Sequence, residues 1–251
     1  MVKRIIKDEK IPRLEKSVAC IGYFDGVHLG HQELIKKTID EAIKLNVLST
    51  LICFEPDPVE VITGNKKLHL LSYKNRLNLI EYFGIDQIIV IKFSNDLMKI
   101  TPKNFIEKYL NRLNIIELVC GYDYTFGYKG MGTVETLSKN NKFKTIVIPE
   151  YKYRRKKVSS TRIINEYKNG NFKLVDRLLG YEYASELKVI KCSKENNKYI
   201  LECKSYDSKC VIPNDAKYGN GFEVRNNKVY ITGTDKLKVN QKLLISFSNY
   251  E

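Results

Sequence analysis

The sequence predicts an α/β protein in which a doubly wound parallel sheet is followed by a small C-terminal β module. Apolar, strand-like runs alternate with segments of helical periodicity through about the first 180 residues. The run 87–93 is nearly continuous in apolar residues, as in strands that are buried on both faces of a parallel sheet. Residues 187–251, in contrast, contain only short strand-like segments, and 251 residues allow one medium and one small domain.

The first strand is predicted over 18–21 and leads through a glycine-rich turn into a helix. Apolar residues recur at helical spacing in this helix, at Leu34, Ile35, Ile39, Ala42 and Ile43. A second strand is predicted over 48–54, and a helix capped by Ser72 over 72–83. The strand over 87–93 follows.

Thr101 and Pro102 form a capping residue and a first-turn proline, which predicts that another helix begins there. Its expected buried side consists of Phe105, Ile106, Tyr109, Leu110 and Leu113. Strands are then predicted over 115–120 and 143–149. Since ligands of doubly wound sheets gather at the carboxyl ends of the strands, motifs that follow strands are the candidate functional sites.

Short strands are predicted in the C-terminal module over 187–192, 199–203, 209–212, 221–225, 228–232 and 242–247. Asn226-Asn227 is a candidate hairpin turn, because asparagine tolerates positive φ.

The chain has a formal net charge of +14, with 43 Lys and Arg against 29 Asp and Glu. The lysines are spread along the sequence, so the charge indicates a solvated surface and no nucleic-acid partner. The densest basic run, 152–157, has five cations in six residues. We expect no secretory signal and no membrane partner, since the N-terminal stretch is charged and no apolar run is long enough to cross a bilayer. The oligomeric state is not indicated.

Six cysteines include no CxxC pair, and only three histidines are present, which argues against a zinc site. Cys20, Cys53 and Cys120 lie in apolar strand-like runs, as buried reduced thiols do. We therefore expect a reducing, cytoplasmic location.

The most informative motif is GYFDGVHLGH at 22–31, which follows the first strand and opens the first helix. The N-terminus of a helix offers unpaired N–H groups and a positive dipole end, so it favours phosphate. His28 and His31 share a face of the first helical turn, where both can donate to one polyphosphate. Two surface histidines in a glycine-rich turn are the alternative, but strand, turn and helix signals agree around this motif.

Two motifs follow later strands. FEPDP at 54–58 contains two prolines, which we expect to stiffen a loop, exclude helix and form an apolar wall for a ring; a simple turn is the alternative. GYDYTFG at 121–127 interleaves three aromatics with Asp123, and rings in a glycine-bounded loop are expected to be hard to bury. Asp123 at a strand end can hold Mg²⁺ or a polar edge of a substrate.

The motif VSSTR at 158–162 follows the basic run and precedes an amphipathic helix predicted over 163–168. Hydroxyls at a helix start are usually caps. Three in succession after a basic run also predict a second phosphate cradle.

These motifs resemble those of the prokaryotic bifunctional riboflavin kinase/FMN adenylyltransferase family, also called FAD synthetases, within the HxGH nucleotidyltransferase superfamily. The segments that carry the resemblance are 22–32, 54–58, 121–127 and 158–163, with 169–181 similar to the junction between the family's modules. The resemblance covers about the first 185 residues. It implies a nucleotidyltransferase domain over 1–185 and a separate β module over 186–251.

The resemblance implies transfer of the adenylyl group of ATP to FMN, with Mg²⁺, giving FAD and pyrophosphate. His28, His31 and Arg162 would be catalytic, and positioning plus electrostatics would supply most of the rate without a covalent intermediate. The implied ATP-binding residues are Gly22, Tyr23, Phe24, Asp25, Gly26, His28, Gly30, His31, Ser159, Ser160, Thr161 and Arg162. The implied flavin-binding residues are Phe54, Pro56, Pro58, Asp123 and Phe126, and Asp123 would also contact the metal.

The sequence departs from the family pattern at three places. Ile164 stands where a further arginine is usual, so either Arg162 or the run 154–157 compensates, or the transfer is slow. Asp57 stands where histidine is common. The kinase signature, close to GFPTAN, does not occur after Leu187. We therefore interpret the C-terminal module as a reduced or degenerate kinase-like barrel and predict that it does not phosphorylate riboflavin.

Three functions remain open from the sequence. The preferred one is a monofunctional FMN adenylyltransferase. The second is a nucleotidyltransferase with another phosphorylated acceptor, against which the aromatic 121–127 loop argues. The third is a flavin- or nucleotide-binding regulator that has lost catalysis, which Ile164 and the missing kinase signature keep open.

Overall fold

The structure is a computed structural model that describes residues 3–7, 14–195, 198–205, 207, 210, 211, 213, 216, 217, 222–226, 228–233 and 237–246. The chain divides into two compact units. The first consists of Met1–Lys67 and Tyr73–Lys157, and the second of Leu68–Ser72 and Val158–Glu251. The division therefore falls at Lys157, earlier than the predicted boundary at 185.

The first unit contains a six-stranded sheet in which every strand pair is parallel. Its strands are β1 (Lys3–Lys7), β2 (Ser17–Ile21), β3 (Leu48–Glu55), β4 (Gln87–Lys92), β5 (Ile115–Gly121) and β6 (Lys144–Ile148). Their spatial order is β1-β4-β3-β2-β5-β6, which confirms the doubly wound parallel sheet. The order reverses between β2 and β5, and ligands of such sheets bind outside the carboxyl ends of the strands at this reversal.

Helices connect the strands and pack against the sheet. They are α1 (Leu29–Leu45), α2 (Pro58–Thr63), α3 (Tyr73–Tyr82), α4 (Asn95–Met98), α5 (Pro102–Lys108) and α6 (Val134–Ser138). Thr101 caps α5 as predicted, because its hydroxyl accepts the N–H of Asn104 at 3.2 Å. Tyr109 is only partly buried, since α5 ends at Lys108 and a 3-10 turn over Leu110–Arg112 follows.

The core lies on both faces of this sheet. Side chains alternate along β2, so Ala19 and Ile21 pack with the cluster around α5, whereas Val18 and Cys20 pack with the cluster around α1 and α3. All five residues of β2 are buried, as expected for a central strand covered on both faces. The predicted buried thiols of Cys20, Cys53 and Cys120 are confirmed.

The second unit combines two helices with an antiparallel sheet. The helices are α7 (Ser160–Lys168) and α8 (Phe172–Leu179). A separate two-stranded ribbon, β7 (Lys152–Tyr153) and β8 (Lys156–Lys157), precedes them in the first unit. The sheet of the second unit has the order β11-β12-β13-β10-β9-β14. Its strands are β9 (Ala184–Glu195), β10 (Lys198–Ser205), β11 (Ala216–Lys217), β12 (Phe222–Arg225), β13 (Lys228–Gly233) and β14 (Lys242–Ser246).

Buried side chains link α7 and the segment after α8 to the rest of the second unit. The hydroxyl of Tyr167 on α7 lies 2.5 Å from that of Ser185 on β9, and the Tyr183 hydroxyl donates to the carbonyl of Leu70. The small β module predicted from the sequence is therefore confirmed as a separate antiparallel sheet. Asn226 has φ of 50°, as expected for the β12–β13 turn, whereas part of the strand predicted over 209–212 lies outside the described residues.

Among the helices formed by the described residues, none combines the length and apolar character that crossing a membrane requires.

Candidate active site

The histidine motif forms a tight turn between β2 and α1. Phe24, Gly26 and Val27 all have positive φ, and Asp25–Val27 forms a single 3-10 turn. This turn buries the side chains of Phe24 and Asp25, so these two predicted ATP-binding residues lie inside the fold beneath the turn. The N-terminus of α1 stands directly after it.

His28 and His31 are brought together as predicted. His28 is the N-cap of α1, and its Nδ1 accepts the N–H of His31 at 3.3 Å. The two imidazoles are stacked, with ring centroids 3.7 Å apart and planes 11° apart. A Cβ on Gly30 would lie 3.3 Å from the His28 ring, so glycine at this position lets the backbone pass close to the imidazole.

Burial keeps both imidazoles neutral. It lowers the pKa of His28 to about 4, with the charge of Lys157 acting in the same direction and Asp25 opposing it. It also lowers the pKa of His31 well below its usual range, and the neighbouring His28 and Arg76 add to this effect. Because Nδ1 of neutral His28 accepts a hydrogen bond, its proton resides on Nε2. His28 therefore presents an Nε2–H donor.

The low pKa of His28 predicts acid sensitivity. An unfolded histidine titrates near pH 6.5. Between that pH and about pH 4 the unfolded chain binds more protons than the folded one, so the free energy of unfolding rises with pH across this window. His28 alone contributes roughly 3 kcal/mol to this change. Urea denaturation of the wild type and of His28→Asn at pH 4.5, 5.5 and 7 measures it, since asparagine keeps an N-cap but does not titrate.

We expect the free energy of unfolding of the wild type to fall more than that of His28→Asn as the pH is lowered. A difference that stays constant over this range contradicts the burial of a neutral imidazole at position 28.

Lys157 is a cation that the first unit places near His28. Its Nζ forms an ion pair of 2.5 Å with Asp123 and donates to the Tyr122 hydroxyl at 3.1 Å. Tyr122 donates in turn to Glu150 at 3.0 Å. Asp123 follows the end of β5, and its Oδ2 accepts the hydrogen bond from Lys157.

An apolar cavity of about 710 Å³ opens beside the turn. Phe54, Pro58 and Phe126 line it, as do Gly22 and Tyr23 of the histidine motif. The remaining lining residues are Ile62, Phe93, Leu97, Met98, Ile100, Phe105, Tyr124, Thr125, Gly127, Tyr128, Lys129 and Gly130. Of the predicted flavin residues, Pro56 and Asp123 are not in this lining. The cavity has the size and aromatic character of a site for a flat ring system.

The FEPDP segment differs from its prediction. It does not exclude helix: Pro58 occupies the first turn of α2, and buried Asp57 caps that helix by accepting the N–H of Val59 at 2.8 Å. The reason is that proline at a first helical turn loses no hydrogen bond. Asp57 also forms an ion pair of 3.4 Å with Lys67. The expected apolar wall is present, because Phe54 and Pro58 line the cavity.

The aromatic 121–127 loop is more buried than predicted. Phe126 is buried and packs against Phe105 at 5.5 Å and Tyr124 at 5.8 Å, whereas Tyr122 remains exposed. The prediction that these rings are hard to bury was therefore wrong for Phe126, since α5 supplies a core on which the loop packs. Phe126 nevertheless lines the cavity.

Tyr23 is held by a buried cation that the sequence analysis did not identify. The Arg76 guanidinium lies 4.0 Å from the centroid of the Tyr23 ring and donates to Glu55 at 2.9 Å. Arg76 is almost fully buried on α3. The available signal was an arginine beside Leu77 and Ile80 on the otherwise apolar inner face of α3.

Helix α4 was also missed, although Leu97 and Met98 line the cavity. Ser94 caps it by accepting the N–H of Leu97 at 3.3 Å, and Asp96 lies in its first turn. This capping pattern was present in the sequence.

The VSSTR motif belongs to the second unit, whereas the other predicted site residues belong to the first. Ser159 caps α7 by accepting the N–H of Arg162 at 3.3 Å, so the helix begins at Ser160, earlier than predicted. Ile164 is buried on α7.

The reversal of strand order is where a doubly wound sheet binds its ligand, and the stacked histidines occupy this place. A helix N-terminus that carries two imidazoles is suited to an anion such as phosphate, and together with the parallel sheet it is the arrangement typical of nucleotidyltransferases of the HxGH class. The chain belongs to the FAD synthetase family, whose model matches residues 10–162.

Individual relatives agree with this family. The bifunctional riboflavin kinase/FMN adenylyltransferase of Bacillus subtilis is 33% identical over 90% of this chain and 72% of its own length. A protein of Listeria monocytogenes named FAD synthetase is 28% identical over 66% of this chain and 70% of its own length. A solved structure described as a macrolide-efflux protein from Streptococcus pneumoniae shares the fold, with a TM-score of 0.82 and 24% identity over 97% of this chain and 89% of that one.

Proposed function

We propose that this protein is an FMN adenylyltransferase, which transfers AMP from ATP to FMN and releases FAD and pyrophosphate. One observation supports this above all others: a polyphosphate site and an apolar cavity adjoin the same short segment. Gly22 and Tyr23 line the cavity, and six residues after Gly22 comes the His28 cap of α1. A nucleotide and a flavin bound there would meet near this segment.

In the proposed reaction, a phosphate oxygen of FMN attacks the α-phosphorus of ATP. A new P–O bond forms, the bond from the α-phosphorus to the bridging oxygen breaks, and pyrophosphate leaves with the electron pair. The Nε2–H of His28 and the ring of His31 donate hydrogen bonds to the phosphates as charge accumulates on the leaving group. No covalent intermediate is needed, because the FMN phosphate is already a nucleophile.

Polyphosphate favours the protonated imidazoles, so binding raises the pKa values that burial has lowered. The family motif implies a role in polyphosphate binding also for the start of α7, at Ser159, Ser160, Thr161 and Arg162.

Mg²⁺ would be held by Asp123 and would neutralise charge on the ATP phosphates. Asp123 is half-exposed, and its Oδ1 accepts no hydrogen bond from any residue in the described part of the chain. The described residues contain no cluster of three or more metal-ligating side chains. A single carboxylate oxygen suits a Mg²⁺ that arrives with substrate phosphates, since this ion often takes only one or two carboxylates.

We further propose a division of labour in which residues 1–185 carry the transfer and 186–251 form a reduced, kinase-like barrel without kinase activity. A reducing cytoplasm is the proposed location, which the buried thiols of Cys20, Cys53 and Cys120 support.

A nucleotide-binding regulator without catalysis is the second candidate. The observation in its favour is Ile164, a buried aliphatic side chain at the position where the family usually carries a cation.

Incubation with FMN, ATP and Mg²⁺ separates the candidates. The proposed function predicts FAD and pyrophosphate in equal amounts, measured by chromatography and a pyrophosphate assay. Binding of ATP and FMN without product supports the regulator. Product formation only with nicotinamide mononucleotide or phosphopantetheine in place of FMN supports a different acceptor.

A further inference from the structure

Residues with positive φ that are neither glycine nor asparagine are concentrated at the candidate active site. Nine described residues other than glycine have positive φ, and four of them are asparagines, which tolerate this conformation. Phe24 and Val27 belong to the histidine turn, and Lys129 lines the cavity. Backbone strain of this kind persists mainly where function requires it. The remaining two are Arg154 and Arg155.

These two arginines form the tip of the ribbon β7–β8. Tyr153 pairs with Lys156 across the ribbon, so the loop has two residues, with φ of 51° at Arg154 and 62° at Arg155. Positive φ at both central positions is the requirement of a type I′ turn, for which Asn-Gly is preferred. Two arginines are an unfavourable choice for this turn, so the local backbone gains nothing from them.

The charge of the ribbon is also uneven. Lys152 and Lys157 at its base are paired with Glu150 at 2.9 Å and Asp123 at 2.5 Å. At the tip, Arg154 lies over the ring of Tyr153, and Arg155 is exposed and forms no ion pair with a residue that the structure describes. Positive charge without a carboxylate partner is therefore concentrated at the tip.

The base of the ribbon is anchored at the polyphosphate site. A Cβ on Gly30 would lie 3.5 Å from Cβ of Tyr151, which directly precedes the ribbon. Lys157 at the other end of the ribbon is close enough to His28 for its charge to lower the pKa of that imidazole. Arg155 is two residues from Lys157, or about 7 Å along an extended strand. Among the described strands, the ribbon pairs with no other strand, and Arg154 and Arg155 at its tip are exposed.

We propose that Arg154 and Arg155 form a guanidinium clamp for the terminal phosphates of the nucleotide. Arginine suits this role because the planar fork of N–H donors in its guanidinium matches the geometry of phosphate oxygens. This proposal rests on the proposed function in one respect, that the polyphosphate belongs to ATP.

The decisive variant is the double substitution Arg154→Asn with Arg155→Gly. It removes both charges and installs the preferred turn, so we expect the melting temperature to be equal or higher than that of the wild type. The double substitution Lys139→Gln with Lys142→Gln is the matched control. It removes two exposed charges that precede the amino end of β6, whereas the ribbon follows the carboxyl end of that strand.

Calorimetry with inorganic tripolyphosphate and with AMP at low salt measures the effect. We expect the turn variant to bind tripolyphosphate about tenfold more weakly, as two exposed charge contacts predict, and AMP with a change of less than about twofold. The KM for ATP should rise while the KM for FMN does not. Unchanged affinity for tripolyphosphate overturns the clamp, as does an equal loss in the Lys139/Lys142 control, or an equal loss for AMP.

The clamp and the proposed function fail in different ways. If the wild type binds tripolyphosphate through the arginines but makes no FAD, the clamp is supported and the proposed function is overturned. If the wild type makes FAD and the turn variant binds tripolyphosphate as tightly as the wild type does, the proposed function is supported and the clamp is overturned.

Discussion

Replacing His31 with alanine is expected to lower the rate of FAD formation by about 10²–10³, while FMN affinity stays within about twofold. The ring of His31 stacks on His28 at the opening of α1, where its donor would act on the phosphates and not on the flavin. The loss of one donor that acts in the transition state typically costs about 2.7–4 kcal/mol. The measurement combines steady-state kinetics in FMN and ATP with FMN titration by fluorescence.

The His28→Asn variant tests the same site without removing the helix cap. Asparagine is among the best N-cap residues, so α1 should form while the Nε2–H donor is lost. We expect a similar loss of rate and little change in far-UV circular dichroism. Lys36→Gln, an exposed position on the same helix, is the matched control and should keep the wild-type rate. If both histidine variants turn over as fast as the wild type, the polyphosphate site is assigned to the wrong residues.

The second large effect concerns riboflavin. We expect no FMN from riboflavin and ATP, because residues after Leu187 contain no segment close to GFPTAN, the signature that binds flavin and Mg·ATP in the family's kinase module. Chromatography of a mixture incubated with excess enzyme measures this. The same preparation supplied with FMN and ATP serves as the positive control for intact protein.

Stoichiometric conversion of riboflavin to FMN would contradict this prediction. It would assign kinase activity to the antiparallel sheet of the second unit, whose described strands run from β9 to β14.

Local patterns were sufficient to predict the strands of the first unit. Each strand predicted between 18 and 149 agrees with the structure within one residue at either end, because a central parallel strand is apolar on both faces and flanked by turns. Strand β1 was not predicted, since its charged and apolar residues resemble a solvated terminus until β4 is present to pair with it.

Predictions of burial were weaker than predictions of secondary structure. Phe126 looked like a loop aromatic, and only its contact with Phe105 on α5, 21 residues away in sequence, buries it. The helix at Pro58 was not predicted, for a local reason. Proline ends a helix when it lies in the interior, but Pro58 lies in the first turn of α2, where proline is favoured. Arg76 could not be linked to Tyr23, since 53 residues separate them and only the fold places the guanidinium over the ring.

The sequence by itself determined the parallel sheet, the separate C-terminal sheet, and the pairing of His28 with His31, because these follow from periodicity and from spacing within one helical turn. Only the tertiary structure decided what surrounds that pair. The cavity, the Lys157–Asp123 ion pair and the neutral state of the imidazoles all depend on contacts between distant segments. Burial and charge are properties of the folded surroundings, and a local sequence pattern carries no information on which distant side chains provide them.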